Sequence, residues 1–173
     1  GNSYYYIGDN DNTNPEKYDF TIMSNTVHTS VFDEFLSRLL SIGYKGKICY
    51  KLHPQQTEEY EVIKQKWTPY SNIEVILFEK NAIDVIRESK AVFVIHSTVV
   101  FQALDMNCKV LLYSVSDEYL SHKDVFNHPN LYIVNNVKEF IDCLSKPTEL
   151  CLTKFYENVD EQKCLRIFQE YDL

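Results

Sequence analysis

Short, nearly unbroken apolar runs alternate along this chain with longer stretches in which apolar residues return every three or four positions. The runs predict six strands: 18–23, 47–52 (KICYKL), 73–78 (IEVILF), 91–95 (AVFVI), 109–113 (KVLLY) and 131–134 (LYIV). AVFVI, apolar on both faces, has the pattern of a central parallel strand. Between the first two runs, Val31, Phe32, Phe35, Leu36, Leu39 and Leu40 mark one face of an amphipathic helix. Ser30 is its expected N-cap, Asp33 and Glu34 suit its first turn, and Gly43 and Gly46 mark its end. Further helices are predicted over 58–67, capped by Thr57 and closed by Pro69, and over 82–89, 98–106 and 137–144. Phe155, Val159, Leu165 and Phe168 return at helical intervals in the tail.

Strands alternating with helices define an α/β domain, a Rossmann-like, doubly wound parallel sheet of about six strands. Residues 1–17, an aromatic run followed by an Asp/Asn/Pro stretch, read as a linker or lead-in, and 18–173 as one domain. The opening Gly1 suggests a fragment of a longer protein.

Composition narrows the function. Hydrophobic residues make up 45% and aromatic residues 14%, values that belong to a folded chain rather than a disordered one. The net charge is −8 and the basic residues are scattered, which argues against a nucleic-acid partner. Cys49, Cys108, Cys143, Cys151 and Cys164 form no CxxC pair and suit buried thiols of a reducing, cytoplasmic setting. No apolar run is long enough to span a membrane, and no signal-peptide pattern opens the sequence. GxGxxG, P-loop, HExxH and GxSxG patterns are absent, so conventional dinucleotide, ATP, zinc-hydrolase and serine-hydrolase sites are not expected, and no metal is expected.

Ligands of open parallel sheets bind at the carboxyl ends of the strands. Three loops there carry chemistry: Ser24-Asn25 after the first strand, Lys51-Leu52-His53-Pro54 after the second, and His96-Ser97-Thr98 after the fourth. At the last, a helix starts directly, so Ser97 or Thr98 is its expected cap. The free N–H groups of Val99 and Val100 are expected to face the rim as an anion site. His53 places an imidazole donor at the rim, Pro54 fixes its turn, and Lys51 shares the strand end. Gln102, one turn beyond Thr98, is within reach of a ribose. Each loop alone also has a plain structural reading, as a surface turn or an ordinary cap.

Taken together, KLHP at 51–54 and HSTVVFQAL at 96–104 resemble the C-terminal, nucleotide-sugar-binding domain of bacterial transferases with two facing domains, the GT-B type. Capsule and lipooligosaccharide sialyltransferases, polysialyltransferases and CDP-glycerol glycerophosphotransferases share the pattern, which covers about residues 18–145. The resemblance implies that His53 contacts the donor phosphate and acts in catalysis, and that Ser97 and Thr98 hold the same phosphate. Gln102 stands where related enzymes often carry an acidic ribose ligand. It further implies a CMP- or CDP-linked sugar donor as substrate, no cofactor and metal-independent chemistry. The partners it implies are a glycan acceptor and an N-terminal domain missing from this chain. It places the protein in the cytoplasm, possible peripheral contact with the inner membrane face included. In this picture the turns at His53 and Ser97 lie on adjacent strand tips and grip one phosphoryl group. The alternatives are a GT-B-like nucleotide-sugar epimerase and a catalytically silent flavodoxin-like module.

Overall fold

A computed structural model describes residues 16–152 and Phe155. Six parallel strands form one sheet: β1 (Phe20–Met23), β2 (Ile48–Lys51), β3 (Ile73–Ile76), β4 (Ala91–Val94), β5 (Lys109–Tyr113) and β6 (Leu131–Val134). Their order is β3-β2-β1-β4-β5-β6. The chain winds outward from β1 to β3, then returns to start again at β4, so the direction of winding reverses between β1 and β4. That reversal opens a crevice at the strand tips, where ligands of this architecture bind.

Strand side chains point alternately to the two faces, and each face has its own apolar cluster. On one face Phe20, Ile22, Tyr50, Phe93 and Leu111 meet α1 (Thr29–Ser41), α2 (Tyr60–Trp67) and α5 (Val137–Leu144). Aromatic rings dominate there: Phe93 lies 4.5 Å from Phe35 and 4.9 Å from Phe140, centroid to centroid. On the other, Val92, Val94, Val110 and Leu112 pack against α3 (Ala82–Arg87), α4 (Val99–Asp105) and a 3-10 segment, Asp117–Val125. The doubly wound sheet expected from the alternating pattern is present.

Several helix starts differ from expectation. Ser30 lies inside α1, whose cap position, His28, has no side-chain capping bond; Asn25 instead closes the turn before the helix, its Oδ1 accepting the N–H of Val27 at 3.1 Å and of His28 at 2.8 Å. An Asn side chain closes such turns readily, so α1 opens earlier than its apolar face suggests. Helix α2 begins at Tyr60, because the Thr57 hydroxyl donates to Pro54 O at 3.1 Å and closes a turn instead of capping. At the end of α1, Gly43 takes a φ of +89°, a backbone shape that glycine adopts without strain. The helical pattern in the tail lies outside the described residues apart from Phe155, as does the lead-in except Glu16 and Lys17. Among the described residues no helix is long and apolar enough to cross a membrane.

Candidate functional site

The tips of β1 to β4 enclose an open cavity of about 310 Å³. Ser24 enters from the β1 tip, Lys51, His53 and Pro54 from β2, Phe78, Lys80 and Asn81 from the loop after β3, and Ser97 from the loop after β4. Of the residues singled out in the sequence, five therefore meet in one place: Ser24, Lys51, His53, Pro54 and Ser97. Asn25, His96, Thr98 and Gln102 lie outside it.

Backbone pairing carries the first four into position. Beyond the paired strands, Ser24 N–H donates to Lys51 O at 3.0 Å and Leu52 N–H to Ile76 O at 2.9 Å, so the ladder holds the bases of three rim loops. Lys51, the last residue of β2, is only 7% exposed. Its ammonium donates to Leu52 O at 3.2 Å and to Leu77 O. An ammonium has three donors, so one remains for the cavity. Burial pushes this amine below the ordinary lysine range. A buried cation tied only to neutral carbonyls keeps its charge available to an anion.

His53 sits on an exposed turn that is nonetheless well fixed. Its N–H donates to Gln56 Oε1 at 2.8 Å, and its carbonyl accepts Gln56 N–H at 2.8 Å. Gln55 N–H donates to the ring Nδ1 at 3.2 Å. In the neutral ring the proton therefore resides on Nε2, which is left as a donor.

The Ser-Thr turn departs from expectation. Ser97 Oγ accepts Val99 N–H at 3.2 Å, and Ser97 O accepts Val100 N–H at 3.2 Å. The two N–H groups expected to be free are thus satisfied within their own turn. Ser97 N–H donates to His122 Nε2 at 3.3 Å. Thr98 holds the cap position of α4 but its side chain makes no capping bond, and it is exposed. His96 turns toward His122, with ring centroids 5.6 Å apart. His122 is held below the ordinary histidine range, first by burial and then by the neighbouring His96. A neutral ring is what the contact with Ser97 requires, since only an unprotonated Nε2 accepts. Asn25 Oδ1 is spent on the turn before α1 and accepts from or faces His28 Nδ1 at 3.0 Å as well. Gln102, half-exposed on α4, is not among the residues that line the cavity.

The strand order corrects a further expectation. The β2 and β4 tips are not neighbours, because β1 runs between them. Their backbones are two strand spacings apart, roughly 10 Å. Ser24, at the β1 tip, lies in the interval, while the Lys51 ammonium reaches toward the β3 side, to Leu77 O.

Of the lining residues that escaped the sequence reading, three carry an aromatic or polar side chain: Phe78, Lys80 and Asn81. Phe78 is 67% exposed, an aromatic face left open at the cavity mouth. Lys80 is paired with Glu88, and Asn81 Oδ1 caps α3 by accepting Asp84 N–H at 2.9 Å. A loop after a strand that contains a large exposed aromatic was the available signal. Nearby, Glu79 is held down to about 2, chiefly by the Tyr60 hydroxyl and by backbone N–H groups, so it is a fixed anion turned to structural use. No carboxylate is among the described residues that line the cavity. Among the described residues no three His, Cys, Asp or Glu side chains are grouped to hold a metal ion.

The sheet order and the crevice define a Rossmann-like, doubly wound domain. No protein-family model matches the sequence, and no curated protein matches it. Among solved structures, the fold is similar to that of the UDP-GlcNAc 2-epimerase of Methanocaldococcus jannaschii, determined in complex with UDP-GlcNAc and UDP. The TM-score is 0.64 at 13% identity, over 92% of this chain and 47% of that one. This chain thus spans about half the length of that enzyme, and at such identity the likeness concerns the fold.

Proposed function

We propose that this domain binds the nucleotide end of a sugar nucleotide, as the donor-binding half of a two-domain, GT-B-type transferase of surface-polysaccharide synthesis. The observation that carries the reading is the cavity at the reversal of winding, where the buried ammonium of Lys51 and the Nε2–H of His53 meet hydroxyls of Ser24 and Ser97. Two donors of positive character, with no carboxylate among the described lining residues, suit a phosphate or diphosphate. The breadth of the site, two strand spacings, favours an extended diphosphate over one phosphoryl group held by both turns. Phe78 offers a face on which a base can stack. In this reading His53 and Lys51 stabilise charge that builds on the leaving phosphate, which is electrostatic catalysis without a proton transfer from this half. The acceptor and the remaining catalytic groups come from a facing domain, and the donor is a pyrimidine nucleotide carrying a sugar; of the CMP- and CDP-linked donors that the sequence resemblance implies, the breadth of the site favours the CDP-linked one, which carries a diphosphate. The cytoplasm, at or near the inner membrane face, fits such a donor.

A second reading, a nucleotide-sugar epimerase, is favoured by one observation: the similar structure is a UDP-GlcNAc 2-epimerase that binds UDP. The two share the binding step, and UDP belongs in the test for that reason. Thermal shift with CMP, CDP, UDP and GDP, without added metal, checks it. One pyrimidine nucleotide at a hundredfold excess over its dissociation constant adds about 2.7 kcal/mol, a rise of roughly 5–10 °C in Tm. His53→Ala removes most of the rise and leaves the ligand-free Tm within about 2 °C, because the ring is exposed. Equal indifference to all four nucleotides contradicts the proposal and favours a silent flavodoxin-like module.

A further inference from the structure

Gln56 is 1% exposed, yet it belongs to an otherwise exposed turn, and its side chain is fully engaged. Its Oε1 accepts the His53 N–H at 2.8 Å. Its Nε2 donates to Thr29 Oγ1 at 2.8 Å and to Glu59 Oε2 at 3.1 Å. The Thr29 hydroxyl donates to the same Glu59 oxygen at 3.0 Å. Thr29 opens α1, directly after the loop that carries Ser24, and Glu59 precedes α2. One buried amide thus ties the β1 loop to the β2 loop, and it does so through the backbone of the histidine that lines the cavity.

The turn has other constraints besides this network. Pro54 restricts it, and the Thr57 hydroxyl closes it on Pro54 O. A buried and fully satisfied polar network instead specifies one arrangement among several. The arrangement selected here is the one in which Gln55 N–H reaches the ring Nδ1 and the Nε2 proton is left for the cavity.

We infer that Gln56 is a positioning residue for His53: it holds the imidazole in its Nε2–H pose at the rim and couples that pose to the loop bearing Ser24. The consequence for ligand affinity rests on the nucleotide reading above; the consequence for the ring does not. If Gln56 acts through His53, its removal changes the ring's tautomer and weakens binding only while His53 is present.

Long-range proton–nitrogen NMR of the histidine rings tests this on the full chain, with Gln56→Met and with the exchanged pair Gln56→Glu and Glu59→Gln, each checked for folding by circular dichroism. The wild type is expected to show His53 as the Nε2–H tautomer, and Gln56→Met a mixture of both. The exchanged pair keeps an acceptor for the His53 N–H and returns an amide donor from position 59, so it retains the wild-type tautomer. Calorimetry with UDP is expected to show an affinity about fivefold lower in Gln56→Met, the worth of one ordinary hydrogen bond, and no further loss when Gln56→Met is added to His53→Ala. An Nδ1–H tautomer in the wild type overturns the inference. So does an unchanged tautomer in Gln56→Met, or an equal loss of affinity with and without His53. Should Gln56→Met fail to fold, a lost Nε2–H tautomer in the exchanged pair overturns it. If UDP does not bind the wild type, the calorimetry is run with CDP, and if none of CMP, CDP, UDP and GDP binds it, the nucleotide reading falls, while the tautomer comparison still decides the role of Gln56.

Discussion

Two rim loops, 52–56 after β2 and 96–99 after β4, start from the same plan, a histidine at a strand end followed by a turn into a helix, and arrive at opposite conditions. In the first, hydrogen bonds hold the backbone and leave a ring nitrogen and the neighbouring Lys51 ammonium directed to the cavity. In the second, the hydroxyl of Ser97 and its carbonyl are turned inward on Val99 and Val100, and His122 receives the remaining N–H. Polar residues at a helix start are thus ambiguous until their partners are known. The same Ser that could hold an anion can equally satisfy its own turn. In this protein the positive character of the rim belongs to the β2 side.

Three substitutions sharpen that contrast. The largest effect is expected from Lys51→Met, which removes a charged donor: affinity for the nucleotide that binds falls about a hundredfold by calorimetry, the worth of one charge-assisted hydrogen bond. Unchanged affinity would reduce Lys51 to a tie between the β2 and β3 tips. Ser97→Ala lowers affinity about threefold, as its hydroxyl is already shared with Val99 N–H, whereas Thr98→Ala stays within about twofold of wild type. A larger loss in Thr98→Ala than in Lys51→Met would reverse the comparison.

A separate effect, on stability rather than affinity, is the pH dependence. His122 titrates below its ordinary value of 6.5 in the folded chain. As pH falls, the unfolded chain therefore takes up this proton first. Stability from this group is complete above the unfolded value and is lost as pH drops below it toward the folded value, by at most about 1.4 kcal/mol per pH unit. His128, also lowered by burial, acts with the same sign. Urea titrations at about pH 7.5 and about pH 5.5 check it: the wild type weakens in acid, and His122→Gln weakens less.

Much of the fold was legible because apolar spacing reports which face of an element is buried. The runs at 109–113 and 131–134 and the helix at 137–144 coincide with β5, β6 and α5. Segment 117–125 escaped notice: DEYLSHKDV has no helical spacing of apolar residues, and it folds as a 3-10 helix held through His122 and Val125. The ends of elements were less legible, since Asn25 and Thr57 act through side-chain bonds that compete with capping. Strand order was not legible at all. No local pattern says that β1 will lie between β2 and β4, and the pairing of the two turns on adjacent tips failed for that reason. At the site, Lys51 and His53 were visible because they follow a strand directly. Phe78 and Gln56 became visible only when distant loops met.

The account depends on the anion sitting against the β1–β3 side of the crevice. Amide NMR of the isotope-labelled chain, titrated with UDP and CDP, tests this most directly. The predicted result is a set of shifted amides confined to 23–25, 51–56 and 77–82, with Ser97 moved less. Shifts centred instead on His96, Thr98 and the segment Asp117–Val125, or no shifts with either nucleotide, would contradict it.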